Sequence, residues 1–295
     1  MTVAVSGVKG KMSMQTGRLY VVATPIGNLG DVTRRAVEVL KGVDLIAAED
    51  TRHTAGLLSH LGVDARTISF HEHNEQQRSQ QLLGFLLAGE NIALVSDAGT
   101  PLICDPGYRI VSACREKGVD VVPIPGASAV IAALSASGLP TDRFLFEGFL
   151  PRTQAKRRKR LRRLSHFPST LVFYESSHRI LHCLEDMLAE LGEERRVVLA
   201  RELTKQYETF IDQPLAQLLQ TVAADANQQR GEFVVMVAAS ENRVLLPGSV
   251  ERVLQILVDE MPPNQAARVA ARISGQPKRE LYQLLLKMKE KWPPS

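Results

Sequence analysis

The sequence predicts an α/β protein with two sheet-containing domains and a small helical extension. Three observations predict it. The chain has 295 residues, more than the ~100–200 of a single ordinary domain. Short, nearly continuous apolar runs alternate with helical periodicity from Gly17 to about residue 240, the pattern of strands buried on both faces between helices. Beyond 245 only helical periodicity remains.

The first domain is expected over residues 17–137. Its strands are Leu19–Ala23, Leu45–Ala48, Thr67–Phe70, Ile92–Val95 and Val119–Ile124. Helices are expected near 33–41, 51–61, 74–88, 107–117 and 127–137, so the sheet should be parallel. Gly138-Leu139-Pro140 punctuates the chain. A second domain with a mixed sheet follows over 138–240, with strands at Phe144–Phe149, Thr170–Tyr174, Val197–Ala200, Glu208–Ile211 and Phe233–Ala238. The one strong amphipathic helix expected there spans 177–191, with Ser177 as its cap. Leu246-Pro247-Gly248 breaks the chain again, and residues 245–295 read as three short helices, near 250–260, 263–274 and 277–290. They suit either a helix-turn-helix-like unit or a bundle packed on the main body. Residues 1–16 lack a sustained apolar core and read as a flexible tail rather than a signal peptide.

Apolar residues make up 44% of the chain and charged residues 23%, which excludes disordered, collagen-like and membrane-spanning classes. Three widely spaced cysteines, Cys104, Cys114 and Cys183, indicate no disulfide framework and fit a reducing cytoplasm. The net charge is only +4, but residues 152–163 hold eight cations and no acid, so the remaining chain carries −4. A concentrated basic segment on a slightly acidic protein points to one anionic partner met at one place. Its cations, among them Arg157, Arg158, Lys159 and Arg160, repel one another along a helix until an anion relieves them. With few large apolar residues beside them, nucleic acid is preferred over a membrane. The plain alternative is a solvated surface helix or a flexible lid.

No P-loop and no GxGxxG occur. Instead four successive strands end in polar loops, on the edge where open parallel sheets bind ligands. The first loop carries Pro25 and Asp31; the second Glu49, Asp50 and Arg52; the third His71 and Asn74; the fourth Asp97, Gly99 and Thr100, followed by Asp105-Pro106-Gly107. Plainer readings exist: Asp50 and Arg52 as a salt bridge, Asp31 as a helix cap. No metal is expected, because His178 and His182 lack the glutamate of HExxH and no cysteines have zinc-like spacing. Those two histidines should lie on the solvated face of their helix.

The segments TPIGNLGDVT, AAEDTRHT, HEHNE, VSDAGTPLICDPG, PIPGASAV, FEGFLP, FYESSHR, ARELTKQYE and GEFVVMV stand in order between residues 24 and 237. In them the chain resembles the ribosomal RNA small-subunit methyltransferase I family, within the tetrapyrrole methylase superfamily. The resemblance covers about 17–240, and the helical tail resembles that family's C-terminal extension. It implies a two-domain tetrapyrrole-methylase-like fold, S-adenosylmethionine as cofactor and a homodimer. It further implies 2′-O-methylation of a cytidine ribose in the decoding region of 16S ribosomal RNA, within the 30S subunit. A tetrapyrrole methyltransferase and a non-enzymatic ribosome-binding factor are the alternatives.

Carried over residue by residue, the resemblance makes Gly99 and Thr100 the donor loop, although Gly-Asp-Pro of the superfamily reads Gly-Thr-Pro here. Asp97 is expected to take over part of the lost carboxylate role. Ser128, Ala129 and Leu203 match further donor-contacting positions, as do Pro25, Ile103, Tyr174 and Glu232. For the base, Asp97 is the first choice because it adjoins that loop, and Asp31, Asp50, Glu49 and His71 also qualify by chemistry. Arg52, His71 and Asn74, together with Arg157, Arg158, Lys159 and Arg160, are expected to hold RNA.

Overall fold

Residues 16–240 and 247–290 are described in the computed structural model of the chain. The tail expected over 1–16 therefore lies outside the described residues, apart from Thr16. Two compact units are present. One runs to Ala136 and takes in Glu202–Thr209; the other comprises Ser137–Arg201 and the chain from Phe210 onward.

The first unit follows its apolar pattern. β1 (Leu19–Val22), α1 (Arg34–Gly42), β2 (Leu45–Ala48), α2 (Thr51–His60), β3 (Thr67–Ser69), α3 (Glu75–Leu87), β4 (Ile92–Val95), α4 (Tyr108–Glu116), β5 (Val121–Ile124) and α5 (Ala129–Ala136) succeed one another. The five strands form one sheet in the order β3-β2-β4-β1-β5, and the pairs with a defined register are all parallel. β2 and β4 are buried at every residue because alternate side chains feed opposite cores. Leu45, Ala47, Ile92 and Leu94 pack with Leu82, Leu86 and Ile110 of α3 and α4. Ile46, Ala48, Ala93 and Val95 pack with Ala36, Leu40 and Leu58 of α1 and α2. All four βα loops of β1 to β4 leave the sheet at its carboxyl edge.

The second unit holds β6 (Phe144–Phe149), α6 (Gln154–Leu164), β7 (Thr170–Ser176), α7 (Ile180–Leu191), β8 (Arg196–Arg201), β9 (Thr209–Pro214), α8 (Leu215–Ala224) and β10 (Glu232–Val237). Its sheet order is β6-β7-β10-β8-β9. β6 and β7 are parallel, while β10 runs antiparallel to β7 and β8, so the sheet is mixed. Residues of α6, α7 and α8 pack on it around Leu171, Phe173, Leu199 and Val235. The C-terminal helices α9 (Pro247–Glu260), α10 (Pro263–Ser274) and α11 (Lys278–Glu290) share a separate small core of Val250, Leu254, Ala266, Ala267, Ala270, Leu281 and Leu285.

Three local expectations are corrected. The second unit has three helices on its sheet, not one: α8 buries Leu215, Leu218 and Val222 at helical spacing, and the basic run itself forms α6. Ser177 does not cap α7, which starts at Ile180 with no side-chain cap. The preceding turn is fixed instead by Arg179, which donates to the Leu150 carbonyl at 2.7 Å and pairs with Glu175 at 3.2 Å. Asp31 does not cap α1; Thr33 does, accepting from the Ala36 amide at 3.2 Å.

Candidate functional site

The loops after β1 and β4 leave adjacent strands and stay paired. Thr24 and Gly99 form an isolated bridge, with Thr24 N–H donating to Gly99 O at 2.9 Å and Gly99 N–H to Thr24 O at 3.1 Å. Gly99 has φ +83°, the left-handed region that favours glycine. The Thr24 hydroxyl donates to the Ser96 carbonyl at 3.2 Å. The Thr100 hydroxyl donates to the Ala127 carbonyl at 3.1 Å, pinning the loop to the segment with Ser128 and Ala129 at the start of α5. Thr100 thus fixes the position of the loop.

The loop after β2 joins the same site. Asp97 Oδ1 accepts from the Asp50 amide at 3.0 Å, and the Asp97 amide donates to Glu49 Oε2 at 3.3 Å. Burial pushes the Glu49 carboxyl up, and the neighbouring Asp97 charge adds to that rise. Asp105, for which the sequence suggested no role, is also close. Burial pushes it up to about 6, helped by the charges of Glu49 and Asp97. Its one signal in the sequence was a polar Asp-Pro-Gly just past the fourth strand-end loop. Thr24, Pro25, Gly27, His53, Ser96 and Asp97 are among the residues lining a cavity of about 190 Å³.

Asp50 is differently placed. It caps α2 through the Arg52 amide at 2.8 Å and pairs with the Arg52 guanidinium at 3.0 Å. Those bonds hold its carboxyl down at about 2, which makes it a weak base, and the plain salt-bridge reading of the pair holds. Asp31 is exposed on a short 3-10 turn, Leu29–Asp31. In the β3 loop Asn74 accepts from the His71 amide at 2.9 Å and its amide nitrogen lies 3.1 Å from His71 Nε2. The buried His71 Nδ1 has no hydrogen-bond partner among the described residues.

Among the described residues, four non-glycine residues have positive φ: Leu102, Cys104, Glu202 and Thr204. Such backbone costs about 1–3 kcal/mol per residue and gathers at functional sites. The first two follow the Gly99 loop, with Ile103 exposed between them. The other two flank the buried Leu203 in Glu202–Thr209, the segment that belongs to the first unit. There Lys205 pairs with Glu202 at 2.8 Å and lies over the β1 loop. A Cβ on Gly27 would stand 2.5 Å from Lys205 Cγ. Tyr174 and Glu232 belong to the second unit, on the paired strands β7 and β10. Tyr174 packs edge-on against Phe146 and Phe149, at 4.9 and 5.7 Å between ring centroids.

The basic run is not uniformly available. Arg157, with a side chain only 5% exposed, pairs with the fully buried Asp186 at 2.6 Å, and Arg158 pairs with the same carboxylate at 2.5 Å. Arg160 grips Glu147 through two hydrogen bonds at 2.6 and 2.7 Å, and Arg162 grips Glu190 through two at 2.9 Å. The expectation that Arg157 holds RNA is therefore corrected: it is buried and spent on Asp186. Arg158 and Arg160 are half-buried and already paired, and of the four named residues Lys159 alone is exposed. His178 and His182 are both exposed, but only His182 lies on the helix as expected; His178 stands in the turn before α7. Among the described residues no cluster of three or more His, Cys, Asp or Glu suited to a metal ion occurs, and no helix is long and apolar enough to cross a membrane.

The family profile described as tetrapyrrole (corrin/porphyrin) methylases matches residues 18–219. The ribosomal RNA small subunit methyltransferase I of Escherichia coli is 55% identical over 271 residues, spanning 92% of this chain and 95% of the relative. The chain belongs to the ribosomal RNA small subunit methyltransferase I family. The same-named protein of Pseudomonas aeruginosa is 51% identical over 281 residues, 94% of this chain and 100% of that one. Residues 245–289 match the C-terminal HTH domain of the family. The solved uroporphyrin-III C-methyltransferase from Thermus thermophilus, complexed with S-adenosyl homocysteine, shares the fold at a TM-score of 0.52 and 19% identity, over 75% of this chain and 97% of that one.

The residues of the first unit suit the family's donor. S-adenosylmethionine carries a sulfonium and an ammonium, and the strand-end loops gather Glu49, Asp97 and Asp105 with no lysine or arginine paired to them among the described residues. A cation placed there relieves the mutual repulsion and burial that push Glu49 and Asp105 up. The cavity is below the ~300–1,000 Å³ of pockets that enclose whole small molecules, so it suits one part of the donor.

Proposed function

We propose that this chain uses S-adenosylmethionine to methylate the ribose 2′-oxygen of a cytidine in the decoding region of 16S ribosomal RNA. Membership of the family makes it an S-adenosylmethionine-dependent methyltransferase. The assembled 30S subunit as substrate, a homodimer and a cytoplasmic setting complete the reading. The supporting observation in the structure is Asp97: it lines the cavity, and its Oδ1 is fixed by the Asp50 amide.

Bound S-adenosylmethionine supplies an electrophilic methyl group on a positively charged sulfur. The rest is positioning and one proton. Gly99, Thr100, Ser128 and Ala129 hold the methionine part, and Pro25, Ile103 and Leu203 border it on the first unit. Tyr174 and Glu232 are the contacts proposed from the second unit. Asp97 accepts the hydroxyl proton at Oδ2, which takes no protein hydrogen bond among the described residues. Glu49 and Asp105 keep the site negative beside it. Arg52, His71 and Asn74 face the nucleotide.

The test is transfer of labelled methyl from S-adenosylmethionine to 30S subunits from a strain lacking the enzyme, with the product mapped by nuclease digestion. A 2′-O-methylcytidine in the decoding region is the expected product. Label in a precorrin and none in RNA overturns the reading in favour of a tetrapyrrole methyltransferase.

A further inference from the structure

Four of the eight cations in residues 152–163 are consumed inside the second unit, and three of the other four share one face of α6. On an α-helix each residue advances by about 100°. Leu161, Leu164 and Arg157 form the buried side of α6. Arg160 on one flank, and Arg158 and Arg162 on the other, reach the unit's own acids. Lys156, Lys159 and Arg163 remain, at spacings of three and four, within an arc of about 60°. All three are exposed, as is Arg152 just ahead of the helix, and none has an ion pair among the described residues. Lys156 to Arg163 spans about 10 Å at ~1.5 Å per residue.

We infer that this row, Lys156, Lys159 and Arg163 with Arg152 ahead of it, is a phosphate-binding face of the enzyme that grips the RNA backbone, while the remaining arginines of α6 are structural. The inference rests on the RNA reading above and narrows it to a surface. The complementarity is one of charge. Like charges at three- and four-residue spacing destabilise a helix, yet this row sits on a helix otherwise braced by arginine–carboxylate pairs. A flexible polyanion supplies the missing counter-charge, and contacts to phosphate position the strand without reading its bases. Compact lysine ammonium groups suit that role as point charges.

The experiment uses the full-length protein with Lys156, Lys159 and Arg163 all changed to Gln. Affinity for a single-stranded RNA oligonucleotide and for unmodified 30S subunits is followed across a salt series, beside S-adenosylmethionine binding. Each phosphate neutralised on a single strand contributes about 0.7 to the slope of log affinity against log salt. The slope should flatten by about 2, with donor binding and melting temperature unchanged. Arg162→Gln, which removes a cation already paired with Glu190, should leave the slope as it was. An unchanged slope in the triple variant overturns the inference, even if methyl transfer by the unaltered protein stands. Loss of 30S binding with RNA binding intact also overturns it, in favour of an acidic protein surface. A flattened slope in a protein that binds no S-adenosylmethionine keeps the phosphate face and removes the enzymatic reading instead.

Discussion

The two units treat buried charge in opposite ways. At the sheet edge of the first, Glu49, Asp97 and Asp105 converge with no lysine or arginine paired to them among the described residues, and burial drives the first and last toward protonation. In the second, Asp186, Glu147 and Glu190 are each met by arginines of α6, mostly through paired hydrogen bonds. Removing charge from water is expensive unless it is matched nearby. The second unit meets that cost with matched pairs that fix α6 to α7 through Asp186 and Glu190 and to β6 through Glu147. The first leaves it standing, at the edge where we place the cationic donor and the proton acceptor. Charge compensated within the fold marks architecture, and charge left over marks chemistry.

The contrast can be broken at its extremes. Asp97→Asn removes the proposed proton acceptor while keeping its shape. Methyl transfer should fall by about 10²–10⁴-fold with the melting temperature nearly unchanged; full activity in a single-turnover assay removes Asp97 from the mechanism. Asp186→Ala should do the reverse. It strands a buried Arg157 and should cost about 3–5 kcal/mol of stability by denaturant titration. An Arg157→Leu, Asp186→Leu double variant should recover much of that loss.

Acid sharpens the same contrast. Burial works to raise the Asp186 carboxyl, but the hydrogen bonds from Arg158 and Arg157 outweigh it and hold the group below the ordinary range. Its contribution to stability is complete above the unfolded value, about 3.9, and is lost as pH falls through the lowered folded value. Asp105 has the opposite sign. Between about 3.9 and about 6 the folded protein keeps a proton that the unfolded chain has released, so stability falls as pH rises across that window. Asp105→Asn should abolish that slope in melts followed against pH, and it should also alter any limb of the methyl-transfer profile near pH 6. The smallest effect belongs to Arg162→Gln, whose own side chain is 70% exposed although its Glu190 partner is largely buried; solvent screening of the guanidinium should leave the denaturation midpoint close to the parent's.

The parallel sheet was legible because strands buried on both faces read as unbroken apolar runs, and Leu45–Ala48 and Ile92–Val95 are buried throughout. The strand-end loops were legible because polar residues interrupt those runs at one end. Helix α8 is hard to read from the chain because its alanines, glutamines and threonine dilute the stripe of Leu215, Leu218 and Val222. The division of labour along α6 was not legible. Arg157 and Lys159 look alike in the chain, and only the approach of Asp186, twenty-nine residues beyond Arg157, separates them. Asp105 is illegible for a similar reason: its environment is made by Ser96, Glu49 and Asp97, which the chain does not place beside it.

The excursion of Glu202–Thr209 into the first unit bears on how the protein can be dissected. The backbone leaves the first unit after Ala136, returns at Glu202 and leaves again after Thr209, so no single cut liberates that unit whole. A fragment ending near residue 136 loses Leu203 and strips Lys205 from the loop at Gly27. Fragment complementation therefore needs the eight-residue segment supplied as a third piece, or a circularly permuted chain that keeps it attached.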